Sequence, residues 1–153
     1  MDNKNLAYFL KKREPKIVEV EAPPTITDEN GNPVMMKVRV LTQEELDKIY
    51  DNYTTERPER DKRKNPVVVN GNIVMRRDRD NGKALRHLVA EALVFPNLKS
   101  EEVQKTFNCY DQSEIIYKVF PTIEEYSYVI RTVLDAIGIS DDAEEDDIEN
   151  AKN

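Results

Sequence analysis

The sequence predicts an α+β fold: two N-terminal β-hairpins with a helix between them, followed by a C-terminal helical bundle. Three observations predict it. Apolar residues alternate with period two over residues 17–40, an Asn70-Gly71 turn dipeptide divides a second apolar stretch, and from Ala84 onward the period becomes helical. Strands first and helices after is the order expected of segregated α and β layers. At 153 residues the chain has room for one domain, which can bury about two-thirds of its surface.

The elements follow in order. Leu6, Phe9 and Leu10 lie at helical spacing before Lys11, Lys12 and Arg13, so residues 5–12 read as a short amphipathic helix that Pro15 stops. Val18, Val20 and Ala22 alternate with Glu19 and Glu21, and Val34, Met36, Val38 and Val40 alternate with Lys37 and Arg39. The segment Asp28-Glu29-Asn30-Gly31-Asn32-Pro33 between them is turn chemistry. Charge matching places Glu21 opposite Lys37 and Glu19 opposite Arg39 in an antiparallel hairpin. Thr42 and Glu45 form a capping box, with Leu41 and Leu46 as a hydrophobic staple, for a helix buried along Leu46, Ile49, Tyr50 and Tyr53. Residues 54–65 read as a polar loop, and Val67–Met75 as the second hairpin.

Ala84, Leu85, Leu88, Val89, Ala92 and Leu93 make the apolar face of the next helix, which runs to Phe95-Pro96. Ser100 caps a short helix carrying Val103 and Phe107, and Asp111 caps another carrying Ile115, Ile116, Val119 and Phe120. Thr122 and Glu125 open the last helix, with Tyr126, Val129, Ile130, Val133, Leu134 and Ile137, and Gly138 closes it. No internal repeat is evident. Residues 1–138 therefore read as one domain and 139–153 as a disordered tail. That tail holds seven acids, which leaves 23 acids and 22 bases in residues 1–140. The folded part is nearly neutral.

Chemistry is hard to place on these residues. The single histidine, His87, precedes Glu91 by one helical turn, but no third metal ligand joins them, and a solvated helix face accounts for the pair. Cys109 is the only cysteine, so no internal disulfide forms, and it lacks a histidine nearby to activate it. No phosphate-binding loop, nucleophile elbow or zinc spacing is present. The reading is a non-enzyme with no catalytic residue, metal or cofactor. No apolar run is long enough to cross a bilayer, and the start of the chain lacks a secretory pattern, so a reducing cytoplasm is expected. Arg57, Arg60, Lys62, Arg63 and Lys64, with Arg76, Arg77 and Arg79, could contact phosphates. Glu56, Glu59 and Asp61 interleave with them and the body is not basic, which argues against a nucleic-acid partner.

Several segments resemble the XkdN-like phage tail assembly chaperones. These are Asn5-Leu6-Ala7-Tyr8-Phe9-Leu10, the stretch from Asp28 to Pro33, Lys37-Val38-Arg39-Val40-Leu41-Thr42-Gln43-Glu44-Glu45, and above all Leu88 to Gln104 with its Phe95-Pro96-Asn97-Leu98 break. The opening of the last helix, Phe120-Pro121-Thr122-Ile123-Glu124-Glu125-Tyr126, is similar but departs from the Pro-Gly-Glu-Tyr common there. The resemblance spans most of residues 5–138.

It implies a cytoplasmic chaperone of phage, prophage or tail-like particle assembly, absent from the finished particle. The implied partners are the tape measure protein and tail tube subunits. A longer, frameshifted form of the same chain is also implied, and the ending Ala151-Lys152-Asn153 permits the slippery spelling A-AAA-AAC. The residues expected to bind a partner are Leu6, Phe9 and Leu10. A structural tail component and a small nucleic-acid-binding regulator are the alternatives.

Overall fold

The computed structural model describes residues 3–139; the acidic tail and the Ala151-Lys152-Asn153 ending lie outside them. The chain opens with helix α1 (Asn3–Leu10), then strands β1 (Ile17–Glu21) and β2 (Met35–Arg39) and helix α2 (Gln43–Asn52). Four strands follow, β3 (Thr54–Pro58), β4 (Val68–Val69), β5 (Asn72–Ile73) and β6 (Met75–Arg79). Helix α3 (Asn81–Ala92), strand β7 (Leu93–Phe95) and helices α4 (Glu101–Phe107), α5 (Ile115–Val119) and α6 (Ile123–Ile137) complete the fold. It is the expected α+β arrangement.

Local signals set the helix ends as expected. The Thr42 hydroxyl accepts from the Glu45 amide at 3.2 Å, while a Glu45 carboxylate oxygen accepts from the Thr42 amide at 3.2 Å. The Ser100 and Thr122 hydroxyls accept from the Val103 and Glu125 amides at the starts of α4 and α6. Gly138 closes α6 at φ +90°, a conformation in which a side chain is strained. Asp80, which the sequence did not single out, caps α3 by accepting from the Lys83 amide. Asp111 binds the Ser113 amide and hydroxyl instead of the first turn of α5, whose N-cap is Glu114.

The main sheet is antiparallel, in the order β1-β2-β7. Its register differs from the expected one by two residues: Glu19 faces Lys37 and Ile17 faces Arg39. A shift of two keeps Val18, Val20, Met36 and Val38 on the same face, so hydrophobic patterning cannot choose between the registers. Arg39 finds its acids elsewhere, on Glu45 at 2.8 Å and Glu91 at 3.7 Å. Strand β7 is a second departure. Leu93, Val94 and Phe95 leave the helix because a residue before proline is disfavoured in helical geometry, and they pair with β2.

A third departure concerns residues 54–65. Their first five residues are strand β3, paired along its length with β6 in a two-stranded ribbon. Nothing in Thr54-Thr55-Glu56-Arg57-Pro58 alternates, because both faces of the ribbon lie largely in solvent. Charge holds it together: Asp78 pairs with both Arg57 and Arg76, which face each other across the strands. Beyond it the Asn70-Gly71 turn joins β4 to β5 with φ of +52° and +79°, as the dipeptide predicts.

The two longer loops are built alike, a repeat that the sequence reading missed. Asp28 accepts from the amides of Asn30 and Asn32 at 2.9 Å, and Asp61 accepts from Arg63 and Asn65 at 2.9 Å. Thr27 bridges to Pro33, and Arg60 bridges to Pro66. The shared frame is Asp, three residues, Asn-Pro. Its fourth position has φ +79° at Gly31 and +68° at Lys64. The three intervening residues differ between the two loops, and the Asp and Asn-Pro that frame them carry the likeness.

Helix α3 is the centre of the body, packing on α2, α5 and α6, while α6 lies across β1 and β2. The core includes Met36, Val38, Leu88, Val89, Leu93, Leu98, Ile115, Ile116, Phe120, Val129, Ile130 and Leu134, each 2% exposed or less. Helix α1 and the ribbon are outside it.

Candidate functional site

Helix α1 presents the residues expected to bind a partner. Leu6, Phe9 and Leu10 share one face by their spacing and are 54%, 73% and 73% exposed. Tyr8 is exposed as well. No other element packs substantially against α1. The face is left open on a helix of eight residues, a length at which isolated helices are marginal in water.

A second apolar surface was not foreseen. A groove of about 170 Å³ opens where the β1–β2 connection, β2, the end of β7 and α5 meet, lined entirely by apolar residues. Ile26, Met35, Phe95, Pro96, Val119 and Phe120 are among its walls. These residues come from separate segments, so no local pattern announces the groove. Met35 and Phe95 keep much of their side chains in solvent.

The third surface is the ribbon. It brings the two basic clusters together: Arg57, Arg60 and Arg76 surround a polar pocket of about 220 Å³ with Pro58 and Glu59. Arg57 and Arg76 are tied to Asp78, Arg77 faces Glu56 at 3.7 Å, and Arg60 donates to the Lys64 carbonyl. Residues 54–79 thus hold eight bases against four acids. Near its far end Val68, Val69, Ile73 and Met75 are exposed.

Titratable side chains also meet between α2, α3 and α5. The His87 ring is half-buried rather than solvated, because Tyr53 at the end of α2 lies against it edge-on, with Tyr53 Oη 2.7 Å from His87 Nδ1. Burial lowers the His87 pKa, with Glu91 and Asp111 opposing that shift. The neutral ring can then accept the tyrosine proton. Glu91 does not turn toward the ring's free nitrogen as a metal ligand would; it pairs with Lys99 at 3.0 Å. Ser113, nearly fully buried, donates its hydroxyl to Asp111 at 2.7 Å and receives Arg86 Nε on its carbonyl at 2.6 Å. The serine proton goes to the Asp111 carboxylate, and Arg86 on the Ser113 carbonyl ties α3 to the segment before α5. Cys109 is buried with Sγ 3.8 Å from the Asp111 carbonyl oxygen. Among the described residues no three His, Cys, Asp or Glu side chains are grouped to hold a metal, and no helix is long and apolar enough to cross a membrane.

Fold and surface together describe an α+β protein whose distinctive features are open apolar faces and a charged ribbon. The chain belongs to the phage XkdN-like tail assembly chaperone family, whose model matches residues 6–152. It is similar to the uncharacterized protein YqbN of Bacillus subtilis (strain 168), at 24% identity over 149 residues, covering 96% of this chain and 91% of that one. It is also similar to the phage-like element PBSX protein XkdN of the same strain, at 21% identity over 151 residues, covering 97% and 94%. The crystal structure of YqbN shares the fold with a TM-score of 0.64 at 18% identity, covering 88% of this chain and 96% of that one.

Proposed function

We propose that this tail assembly chaperone binds the tape measure protein in the host cytoplasm and assists tail tube subunits to assemble around it, leaving before the particle is complete. The observation that carries this reading is the open face of α1: Leu6, Phe9 and Leu10 stand in solvent on a helix that the body does not cover. A long helical client held in solution needs its own apolar stripes covered reversibly. A short amphipathic helix on a tether can do this without committing the chaperone's core. The working domain is residues 1–138, and the acidic stretch 139–153 serves solubility. In a longer, frameshifted form it would serve as a self-repelling linker to a further domain.

Two measurements test the role. Blots of purified particles should show tube and tape measure proteins and none of this chain; its presence in finished particles would make it a structural part. Leu6→Asp with Phe9→Asp should abolish co-purification with tape measure protein while leaving the thermal melt unchanged. Normal capture by the double variant would remove α1 from the binding surface.

A further inference from the structure

We infer that the chaperone associates with itself head to tail, with α1 of one copy seated in the apolar groove of another. The starting point is charge. Residues 3–16 hold five bases against one acid, while residues 17–53 and 80–139, the body, hold nine bases against 17 acids. The segment bearing the open helix is thus at +4 and the body that bears the groove at −8, with the ribbon supplying the remaining +4. Two copies attract through unlike parts, helix to body, and repel through like ones.

Shape points the same way. α1 offers a convex face with an aromatic and two leucines, and its basic end, Lys11-Lys12-Arg13, follows at once. The groove is concave, on the scale of one aromatic side chain, and lined by Ile26, Met35, Phe95, Pro96, Val119 and Phe120. Glu21 ends β1 opposite Met35, and Asp28 and Glu29 belong to the β1–β2 connection that supplies part of the groove's wall. Two bases also adjoin it, Lys37 opposite Phe95 in the sheet and Lys118 beside Val119 in the chain, so the attraction rests on the net charge of the body. Leu6, Phe9 and Leu10 on the helix, and Met35 and Phe95 at the groove, stand exposed, and each surface has the shape the other needs.

The alternatives fit less well. Ribbon against ribbon would set +4 on +4. The acidic stretch 141–153 would satisfy the charge of α1 but not its apolar face, since Ile148 is its single large apolar residue. Seating α1 in the groove of its own copy would require the chain to turn back. β1 begins at the Ile17–Arg39 end of the sheet, and the groove lies at the other end, by Glu21 and Met35. A helix-in-groove contact between copies matches both charge and shape, and it is heterologous, so each copy uses both surfaces. Its consequence is that free chaperone sheathes its own sticky helix until something else takes it. The inference does not depend on the identity of any client, and its test contains no tail protein.

The test uses purified full-length chain in sedimentation velocity across a concentration series. Wild type should show mass rising with concentration, and more steeply at low salt. Phe9→Asp, which loses the helix knob, and Met35→Arg, which places a positive charge at an exposed groove residue facing the basic helix, should each weaken association about tenfold or more. Phe95→Asp is a second groove variant, and unchanged melts confirm folding of whichever groove variant is used. Mixing Phe9→Asp with Met35→Arg should restore dimers and nothing larger, because one retains the groove and the other the helix. A wild type that is monomeric throughout, variants that associate as wild type does, or a mixture that stays monomeric would each overturn the inference.

Discussion

The body and the ribbon are both antiparallel β-structure with charged residues facing across strands, yet they are held by different forces. In the body, β2 carries Met36 and Val38 into a core shared with α3 and α6. In the ribbon, β3 and β6 carry no fully buried residue, and the cross-strand devices are backbone bonds and arginine–carboxylate pairs. Apolar burial is worth much per residue, whereas exposed ion pairs are worth little. The body should therefore dominate global stability, with the ribbon as a low-stability appendage that opens locally.

Cavity formation gives the widest separation. Leu88→Ala, at a fully buried position on α3, should cost about 2–5 kcal/mol by denaturant unfolding. Ile73→Ala, exposed on β5, should cost less than about 0.5 kcal/mol. If the two costs are alike, the ribbon is packed against something and the contrast collapses.

A smaller effect should come from the paired loops. Lys64 adopts at φ +68° the conformation that Gly31 adopts at +79° in the matching loop, with open space around the glycine. A left-handed non-glycine residue is disfavoured by about 1 kcal/mol. Gly31→Lys should therefore destabilise by about that much, since the loop joins two strands of the body. Lys64→Gly relieves the same strain in the ribbon, and should slow amide exchange there while the global melt barely moves. A global stabilisation by Lys64→Gly would show that the ribbon unfolds with the body.

Within the ribbon, Asp78→Asn removes the carboxylate that holds Arg57 and Arg76 together, leaving like charges face to face. The loss should be about 0.5 kcal/mol, read as faster exchange of ribbon amides, and should shrink with added salt.

The mildest effect is on pH. Burial lowers the His87 pKa below its unfolded value, so the unfolded chain binds the proton more readily. The stability associated with the neutral ring is present above about pH 6.5 and is lost as pH falls below it. On protonation Nδ1 becomes a donor, so its contact with Tyr53 must reverse, with the tyrosine oxygen accepting. His87→Gln should flatten the slope of stability between neutral pH and about pH 5. The lowered pKa values of Glu45 and Asp111 act further down, below the ordinary carboxylate range. An unchanged slope in the variant would mean that the ring titrates freely.

Whatever depends on a few neighbouring residues was determined by the sequence alone: the Thr42–Glu45 capping box, the Ser100 and Thr122 caps, the Asn70-Gly71 turn, the apolar stripes of α3 and α6, the Gly138 stop and the α+β class. Each is set by interactions within a turn or two of chain, which makes it readable. The helical spacing of Leu6, Phe9 and Leu10 was readable in the same way. Only the tertiary structure decided that this face is left open, because the identical pattern packs inward on α3. It also decided the register of β1 against β2, where both choices bury the same side chains and Arg39 pairs with acids on α2 and α3 instead of on β1. Strands β3 and β7 exist because a partner strand offers its edge, not because their own residues alternate. The groove has walls from four stretches of chain and no local trace at all. Contacts between residues far apart in sequence leave no periodicity behind, and folding alone brings them together.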